Sequence, residues 1–358
     1  MKHDEKQKTT ICTHDGNFHA DEVMACCMLL RLPEYEGATV VRSRNPSVIT
    51  ACDVVVDVGG EYDHGRKRYD HHQRGFAEET DGVKLSSAGL IYRHYGRRVV
   101  ERAVSDRALP LGDDLVDAAY SAFYTQFVRA IDAVDNGIEQ WPTASGPPLY
   151  LQSTTLSVRI ARMNGAWNQD YSPDAQYRRF VGAMEVMDRE IDECLLRDVV
   201  TSWLPGRMAV REAMERAASS PVSTSDVVKY GKKLFPSVVV FSRFCPWRDH
   251  LHSLEVEAGT DPSNHTLYVV YPEDDRDVAK TRWRVQAVNI GPGSFKCRLP
   301  FPEAWRGLSG EALSLVTGIP GCVFTHADGF IAGNDTREGA IAMAVVSRER
   351  SAQRLPSP

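Results

Sequence analysis

The chain has no hydrophobic run that approaches the roughly 18 apolar residues of a membrane-spanning helix, which excludes an integral membrane protein. It also lacks an excess of positive charge, because 42 Lys and Arg residues face 48 Asp and Glu residues and the net charge is −6. This balance excludes a protein that holds nucleic acid by bulk positive charge; such binding would depend on a local basic groove or on metal ions. With 42% hydrophobic and 25% charged residues, the 358-residue chain is too apolar to be largely disordered and long enough for about two domains.

Cysteine pairs with the spacing of a zinc site are absent, because none of the eight cysteines forms a CxxC motif. Most cysteines lie in apolar runs such as 23–30, so we expect reduced, buried thiols and an intracellular protein. The first residues, Met1 to Lys6, have neither the apolar core of a secretory signal nor the arginine-rich pattern of a mitochondrial presequence. We therefore expect a cytoplasmic or nuclear protein.

The start of the chain has an alternation of short apolar segments. Thr9–Thr13, Gly37–Arg42 and Asp53–Val58 are predicted strands, and Ala20–Leu32 is a predicted helix that ends before Pro33. The helix is apolar on all sides and the third strand is a continuous valine run, which is typical of elements covered on both faces. The order β–α–β–β predicts an α/β domain with a mainly parallel sheet.

The rest of the chain predicts a hairpin, a helical region and a second set of strands. The hairpin turn lies near His64–Gly65, and strand patterns return from about Val227. Helical spacing marks 87–95, 115–134 and 174–203. Strands are expected at 238–241, 267–271, 283–288, 321–326 and 330–332, followed by a helix from Thr336. We predict an N-terminal α/β domain over 8–145, a helical connector over 146–224 and a smaller α/β domain over 225–350.

Histidine is concentrated in the first 72 residues, which hold six of the eleven: His3, His14, His19, His64, His71 and His72. Aspartates stand near them in the chain, namely Asp15, Asp21, Asp57 and Asp70. Since open α/β sheets bind ligands at the carboxyl ends of their strands, these side chains can converge at one edge. Mixed imidazole and carboxylate ligands suit Mn²⁺, Fe²⁺ or Zn²⁺ better than Mg²⁺.

Structural roles remain open for several of these residues. A lone His14 or His19 can serve packing alone, and acids at positions 21 and 22 suit the first turn of any helix because of its dipole. Asp57 is different, because it closes a strand made of valine and a buried carboxylate needs a partner. A metal ion is the most effective partner available.

Three motifs carry a family resemblance: Thr13–Glu22, Val56–Asp63 and Arg68–Arg74. Together they resemble the melanocyte-proliferating-gene (Myg-type) exonucleases, a family similar to the DHH phosphoesterases, which include RecJ-like exonucleases and one class of inorganic pyrophosphatase. The likeness continues through 130–137, 295–300, 304–308, 318–322 and 333–339, so it covers nearly the whole chain. The resemblance implies a DHH-like catalytic domain, the helical connector and a DHHA-like substrate-binding domain.

The resemblance also implies four metal-binding motifs. The first would be His14, His19 and Asp21, where the wider pattern has His, three residues, Asp, one residue, Asp. Asp57 would be the bridging carboxylate of the second. Asp70, His71 and His72 would form the third, with His71 as a ligand and His72 with Asp70 at the substrate phosphate. The fourth would be Asp135, with Asp132, one helical turn earlier, as the competitor.

Two-metal hydrolysis of a phosphoester is the mechanism that the resemblance implies. We expect His14, His19 and Asp57 to hold one ion, and Asp21, Asp57, His71 and Asp135 to hold the other. The cofactor would be two Mn²⁺ ions, with Mg²⁺ or Zn²⁺ as alternatives. The substrate-binding candidates are Arg74, Lys296, Arg298, Gly333, Asn334 and Arg337. For the glycines before the last helix, an ordinary capping turn is the competing interpretation.

A metal-dependent 3′ to 5′ RNA exonuclease is the function that this resemblance favours. The alternatives are a phosphatase of pyrophosphate or short oligonucleotides, and a non-catalytic module held by structural zinc. Structural zinc sites are four-coordinate and usually contain cysteine, whereas the candidate ligands here exceed four and include none. RNA or a small phosphorylated molecule is the expected partner, a homo-oligomer is left open, and the resemblance adds the mitochondrion as a compartment.

Overall fold

The computed structural model describes residues 8–352 except 108, 110–111, 142–151, 220–221, 224–233, 236 and 275–280. The chain divides into two compact units, Met1–Leu204 and Pro205–Pro358. The predicted domain boundaries after residues 145 and 224 lie outside the described residues, so that partition stays a prediction.

The sheet of the first unit is mainly parallel, as predicted. Its strands are β1 (Thr10–Thr13), β2 (Thr39–Arg42), β3 (Val54–Val56), β4 (Tyr62–Asp63) and β5 (Arg68–Tyr69), in the order β2-β1-β3-β5-β4. The β1–β2, β1–β3 and β3–β5 pairs are parallel, and β4 joins β5 as an antiparallel hairpin. The carboxyl ends of β1, β2, β3 and β5 therefore lie at one edge.

The first helix, α1 (Ala20–Leu30), is buried along its whole length except for its last residue. Its residues are apolar after the first turn, so every side packs against protein, including the helices α3 (Ser87–Ile91) and α8 (Pro173–Ile191). The predicted helix is confirmed, and it ends shortly before Pro33.

A short helix, α2 (Pro46–Ala51), lies between β2 and β3 where the sequence predicted only a link. Asn45 accepts a hydrogen bond from the backbone N–H of Ser47 at 2.9 Å, and Pro46 suits the first helical position. Val48 and Ile49 pack against a buried cluster that includes Cys12 and Val55 of the sheet.

The first unit also contains a short ribbon and further helices. They are the ribbon β6 (Glu79–Thr80) and β7 (Val83–Lys84), and the helices α4 (Arg97–Ser105), α5 (Asp113–Phe123), α6 (Arg129–Asp135) and α7 (Leu156–Met163). Segments of π-helix follow α3, α5 and α8 at Tyr92–Gly96, Tyr124–Val128 and Asp192–Trp203. The three predicted helical regions are confirmed.

The second unit contains a five-stranded sheet of mainly antiparallel strands. Its elements are α9 (Leu204–Ser219), β8 (Val222–Ser223), β9 (Leu234–Phe235), β10 (Val238–Val240), α10 (Leu251–Glu257), β11 (Tyr268–Pro272), β12 (Trp283–Ala287), α11 (Gly310–Thr317), β13 (Cys322–Thr325), β14 (Ile331–Asn334) and α12 (Arg337–Ala352). The sheet order is β10-β11-β12-β14-β13, and only β10–β11 is a parallel pair. One face packs against α12 around Trp305 and Phe301.

Among the helices of the described residues, none is both long and apolar enough to span a lipid bilayer. All eight cysteines are free thiols, and six of them are buried.

Candidate metal centre

Polar side chains follow three strands of the first sheet at their carboxyl ends. His14 follows β1, Asp57 follows β3 and Asp70 follows β5. Asp57 adopts a left-handed backbone with φ of 57°, while its N–H donates to the Tyr69 carbonyl at 3.0 Å. A residue other than glycine in this region costs about 1–3 kcal/mol and is characteristic of functional sites. This turn of the backbone sets the Asp57 carboxylate at the sheet edge.

The Asp57 carboxylate lies between two histidines. Its Oδ2 is 3.3 Å from Nε2 of His14, and its Oδ1 is 3.5 Å from Nε2 of His71. The Ser87 hydroxyl donates to Oδ1 at 3.0 Å. All four side chains are buried, so Asp57 is the centre of a desolvated polar cluster.

Asp135 and Asp21 complete the cluster from two helices. Asp135, the last residue of α6, places Oδ2 3.1 Å from Nε2 of His71. Asp21, in the first turn of α1, is fully buried, and within the described structure neither of its oxygens receives a hydrogen bond. A buried carboxylate without a donor is costly unless a proton or a cation compensates it.

Burial and neighbouring charges shift the pKa values of this cluster strongly. Burial raises the pKa of Asp21 well above its usual value, and the carboxylates of Asp57 and Asp135 raise it further. Burial alone would lower the pKa of His14, but hydrogen bonds with Asp57 and Glu22 raise it to about 10. His71 likewise has a pKa raised to about 9, against the effect of burial, by Asp135 and Asp57. The pKa of Asp57 is below its ordinary value, because both histidines outweigh its burial.

The donor set fits a divalent metal ion. Three groups of side chains hold ligand atoms within 4.8 Å of one another: His14, His19, Glu22 and Asp57; Asp57, His71 and His72; and His19, Asp21 and Asp135. Nδ1 of His14 lies 3.0 Å from the Asp15 carbonyl, so Nε2 is the ring nitrogen directed into the cluster. Nitrogen and carboxylate ligands of this kind suit Mn²⁺, Fe²⁺ or Zn²⁺.

Glu22 belongs to the cluster, although the sequence analysis explained it by the helix dipole alone. It is fully buried, and its Oε1 lies 3.1 Å from Nε2 of His14. Both of its oxygens accept the backbone N–H of His19, at 3.0 and 2.9 Å, so Glu22 also caps α1. The burial of Glu22 was predictable, because an all-apolar helix offers no solvated face for an acid in its first turn, whereas its contact with His14 was not.

Asp132 lies outside the three groups and has a different environment from Asp135. Its Oδ1 accepts three hydrogen bonds, from the Ser86 N–H at 3.0 Å, the Ser86 hydroxyl at 2.7 Å and the Gly89 N–H at 3.0 Å. Burial raises its pKa to about 6 against the effect of these donors. Asp132 thus satisfies the amino end of α3 from the neighbouring helix.

Asp70 holds His72 at the edge of the cluster. One Asp70 oxygen lies 2.8 Å from Nδ1 of His72 and also accepts the His72 backbone N–H at 3.0 Å. The other accepts the N–H of Gly60 at 2.6 Å. His72 has a side chain that is 62% exposed, so it presents an imidazole to solvent beside Asp57, at 3.5 Å.

The predicted substrate-binding residues differ in their surroundings. Arg74 in the first unit and Lys296 in the second are exposed, and Arg337 is half-exposed. Arg298 is largely buried and donates to Glu255 and to the Thr266 carbonyl, at 2.7 and 2.9 Å.

Asn334 and Gly333 lie inside the second unit. Asn334 is fully buried, donates to the Pro320 carbonyl at 2.9 Å and accepts the Thr336 N–H at 2.9 Å. A side chain at Gly333 would meet the Arg284 guanidinium at 2.8 Å. The roles of all these residues toward a substrate stay predictions.

Comparison with known proteins identifies relatives along the whole chain. The model of the MYG1 exonuclease family, described as an uncharacterised protein family (UPF0160), matches residues 10–347. The MYG1 exonuclease of Homo sapiens is 44% identical over 344 residues, which cover 93% of this chain and 84% of the human protein. The MYG1 protein of Dictyostelium discoideum is 39% identical over 349 residues, which cover 97% of this chain and 98% of that protein.

Among solved structures, the pGpG-specific phosphodiesterase PggH from Vibrio is 12% identical and covers 96% of this chain and 99% of its own. The TM-score of this comparison is 0.29.

Proposed function

Because the chain belongs to the MYG1 exonuclease family, we propose that it is a metal-dependent phosphodiesterase that removes nucleotides from the 3′ end of RNA. The observation that carries this proposal is the buried cluster of imidazoles and carboxylates around Asp57 at the carboxyl edge of the first sheet. The family model and the human relative both bear the name exonuclease, which supports a nucleic acid as the substrate.

Two divalent ions are the cofactor that we propose for this cluster, with Mn²⁺ as the first candidate. His14, His19 and Asp57 would hold one ion, with Glu22 beside them, and Asp21, Asp57, His71 and Asp135 would hold the other. Bound ions of this kind lower the pKa of a water and stabilise the charge that develops on the phosphate.

The protein's own residues would bind the phosphate and move protons at this edge. The exposed imidazole of His72, held through Nδ1 by Asp70, would donate from Nε2 to a phosphate oxygen or a leaving group. The carboxylate of Asp70 keeps that ring oriented, because the N–H groups of Gly60 and His72 anchor it. The DHH-like and DHHA-like assignment of the two α/β parts belongs to the same proposal.

Replacement of Asp57 by Asn tests the proposal most directly. The amide keeps the shape of the side chain but removes the charge that His14 and His71 face, so we expect Mn²⁺-dependent hydrolysis of 5′-labelled single-stranded RNA to fall by about 10³-fold or more. The matched control is Asp198→Asn, at an exposed position of a π-helical segment, which should leave the rate unchanged.

Three outcomes would contradict parts of the proposal. Activity of Asp57→Asn within about tenfold of the unmodified protein, which is about 1.4 kcal/mol of barrier, would remove Asp57 from the centre. Equal degradation of RNA with a free and a blocked 3′ end would contradict the direction. Consumption of pyrophosphate without any attack on RNA would contradict the nuclease.

A further inference from the structure

A cavity of about 380 Å³ lies in the first unit outside the metal-binding groups. This volume is within the range of roughly 300–1,000 Å³ that ligand pockets occupy. We name it the arginine cavity, because its lining includes Arg44, Arg66 and Arg68 and only one carboxylate, that of Glu61.

One end of the arginine cavity reaches the carboxyl edge of the sheet, where the metal centre lies, and the other end holds Arg68, which begins β5 and donates to the Cys52 carbonyl before β3. Val58 and Gly59, which line it, directly follow Asp57. Arg44, which follows β2, places its Nε 3.4 Å from Oδ1 of Asp15, the neighbour of His14. An extended ligand that ran from the metal centre past Val58 and Gly59 would enter this cavity.

Positive charge exceeds negative charge in the lining. The Arg68 guanidinium donates to backbone carbonyls, including those of Cys52 at 3.2 Å and Arg66 at 3.1 Å, which do not cancel its charge. Arg66 pairs with Glu61, and Arg44 pairs with Asp15, which is not part of the lining. The side chains of Arg44 and Arg66 are each 62% exposed, so their planar forks remain accessible to an incoming phosphate.

The lining also contains an apolar surface that a purely ionic site would not need. Pro46 and Ile49 of α2 and Val58 after β3 contribute it. Gly59 has a φ of 98°, so the chain can turn there without the strain that a side chain would add. Cationic forks can bind the phosphate of a nucleotide, and the aliphatic wall beside them can make van der Waals contact with its base.

We propose that the arginine cavity is a second nucleotide subsite, which holds a phosphodiester and base of single-stranded RNA away from the phosphate that is hydrolysed. The proposal rests on the proposed function for the identity of the ligand. It explains how a chain with a net charge of −6 and a carboxylate-rich centre gains a local cationic surface for a polyanion.

Single-stranded RNA of twelve nucleotides is the binding probe, and EDTA is present so that binding is separated from hydrolysis. We expect Arg44→Gln and Arg66→Gln each to weaken binding about fivefold. Each should also reduce the slope of log affinity against log salt by about 0.7, because one phosphate contact is lost. Glu61→Gln should strengthen binding, since it removes the only carboxylate of the lining. Arg197→Gln, an exposed arginine outside the cavity, is the control and should change neither quantity.

Hydrolysis of the p-nitrophenyl ester of thymidine 5′-monophosphate separates the subsite from the chemistry, because this substrate is one nucleotide long. The arginine variants should hydrolyse it normally while their KM for RNA rises. Variants that bind and degrade RNA like the unmodified protein would overturn the subsite and leave the phosphodiesterase intact. A protein that hydrolyses neither substrate, yet loses RNA binding in Arg66→Gln, would overturn the proposed function and support the subsite.

Discussion

Asp135 and Asp132 lie three residues apart on α6, yet their environments predict opposite effects of mutation. Asp135 faces His71 at 3.1 Å, so Asp135→Asn should lower kcat for RNA by about 10²-fold or more and leave unfolding unchanged. Asp132→Ala would orphan the donors of Ser86 and Gly89, so it should lower the free energy of unfolding by about 3 kcal/mol. Urea unfolding and steady-state kinetics of both variants check this pair. If Asp132→Ala were stable but inactive, Asp132 and not Asp135 would be the metal ligand.

Glu22 combines a helix cap with a place beside His14, and two substitutions separate these roles. Glu22→Gln keeps an acceptor for the His19 N–H but removes the charge, so we expect Mn²⁺ affinity to fall about 10- to 100-fold with little loss of stability. Glu22→Ala should additionally cost about 1 kcal/mol, because the cap is lost. Calorimetric titration with Mn²⁺ measures the affinity. Unchanged affinity in Glu22→Gln would restrict Glu22 to capping.

At the level of single residues, a sequence predicts best the groups whose local context is chemically unfavourable. Asp57 stood out because a valine strand offers a carboxylate no hydrogen-bond partner. In the structure the Asp57 carboxylate has such partners, since it lies between His14 and His71. Glu22 did not stand out, because an acid in the first turn of a helix has a sufficient local explanation. Its contact with His14 depends on the tertiary approach of β1 and α1, which no local pattern encodes.

At the level of elements, long apolar segments were predictable and short ones were not. The buried helix α1 and the valine strand β3 follow from runs whose burial fixes their structure. The helix α2 has six residues, too few for a periodic signal, and it is held by the Asn45 cap and by packing on Cys12 and Val55. The role of the glycine turn before α12 was also ambiguous. In sequence, a glycine turn that only caps a helix resembles one that binds an anion.

Asn334 tests this ambiguity at the start of α12. Its contacts with the Pro320 carbonyl and the Thr336 N–H are internal, so Asn334→Ala should lower the free energy of unfolding by about 2 kcal/mol. Activity per folded molecule should persist. Lys296→Gln, at an exposed position, is the comparison and should not alter stability. Loss of RNA hydrolysis in a fully stable Asn334→Ala protein would instead favour the substrate-binding role predicted from the resemblance.

For the whole molecule, the sequence indicated two α/β parts because strand patterns occur at both ends of the chain and helical spacing lies between them. The two compact units, Met1–Leu204 and Pro205–Pro358, place most of that helical region with the first part. The unit to which a helix belongs depends on the element against which its apolar face packs, and α8 packs against α1. The apolar face of a half-buried helix can be predicted from the sequence, but the element that covers it cannot.

The stability of the full chain should depend on pH through buried histidines whose pKa values are shifted in opposite directions. Burial, and to a smaller extent the Arg207 guanidinium, lower the pKa of His250 from 6.5 to about 4. Its unfolded form therefore binds a proton below pH 6.5 that the folded form refuses, and stability is lost as the pH falls from 6.5 to 4. His14 and His71, whose pKa values are raised to about 10 and 9, act in the other direction, with stability present at low pH and lost as the pH rises through those values.

A comparison of the unmodified chain with His250→Gln isolates the first effect. Between pH 7.5 and pH 5.0, His250 should cost the unmodified chain about 2 kcal/mol, since each pH unit below 6.5 corresponds to about 1.4 kcal/mol. Gln does not titrate, so the urea midpoint of the variant should rise relative to that of the unmodified chain as the pH falls. His14 and His71 contribute equally to both proteins. A gap that stays constant over this range would mean that His250 is protonated in the folded protein, and that its burial in the second unit is compensated by charge.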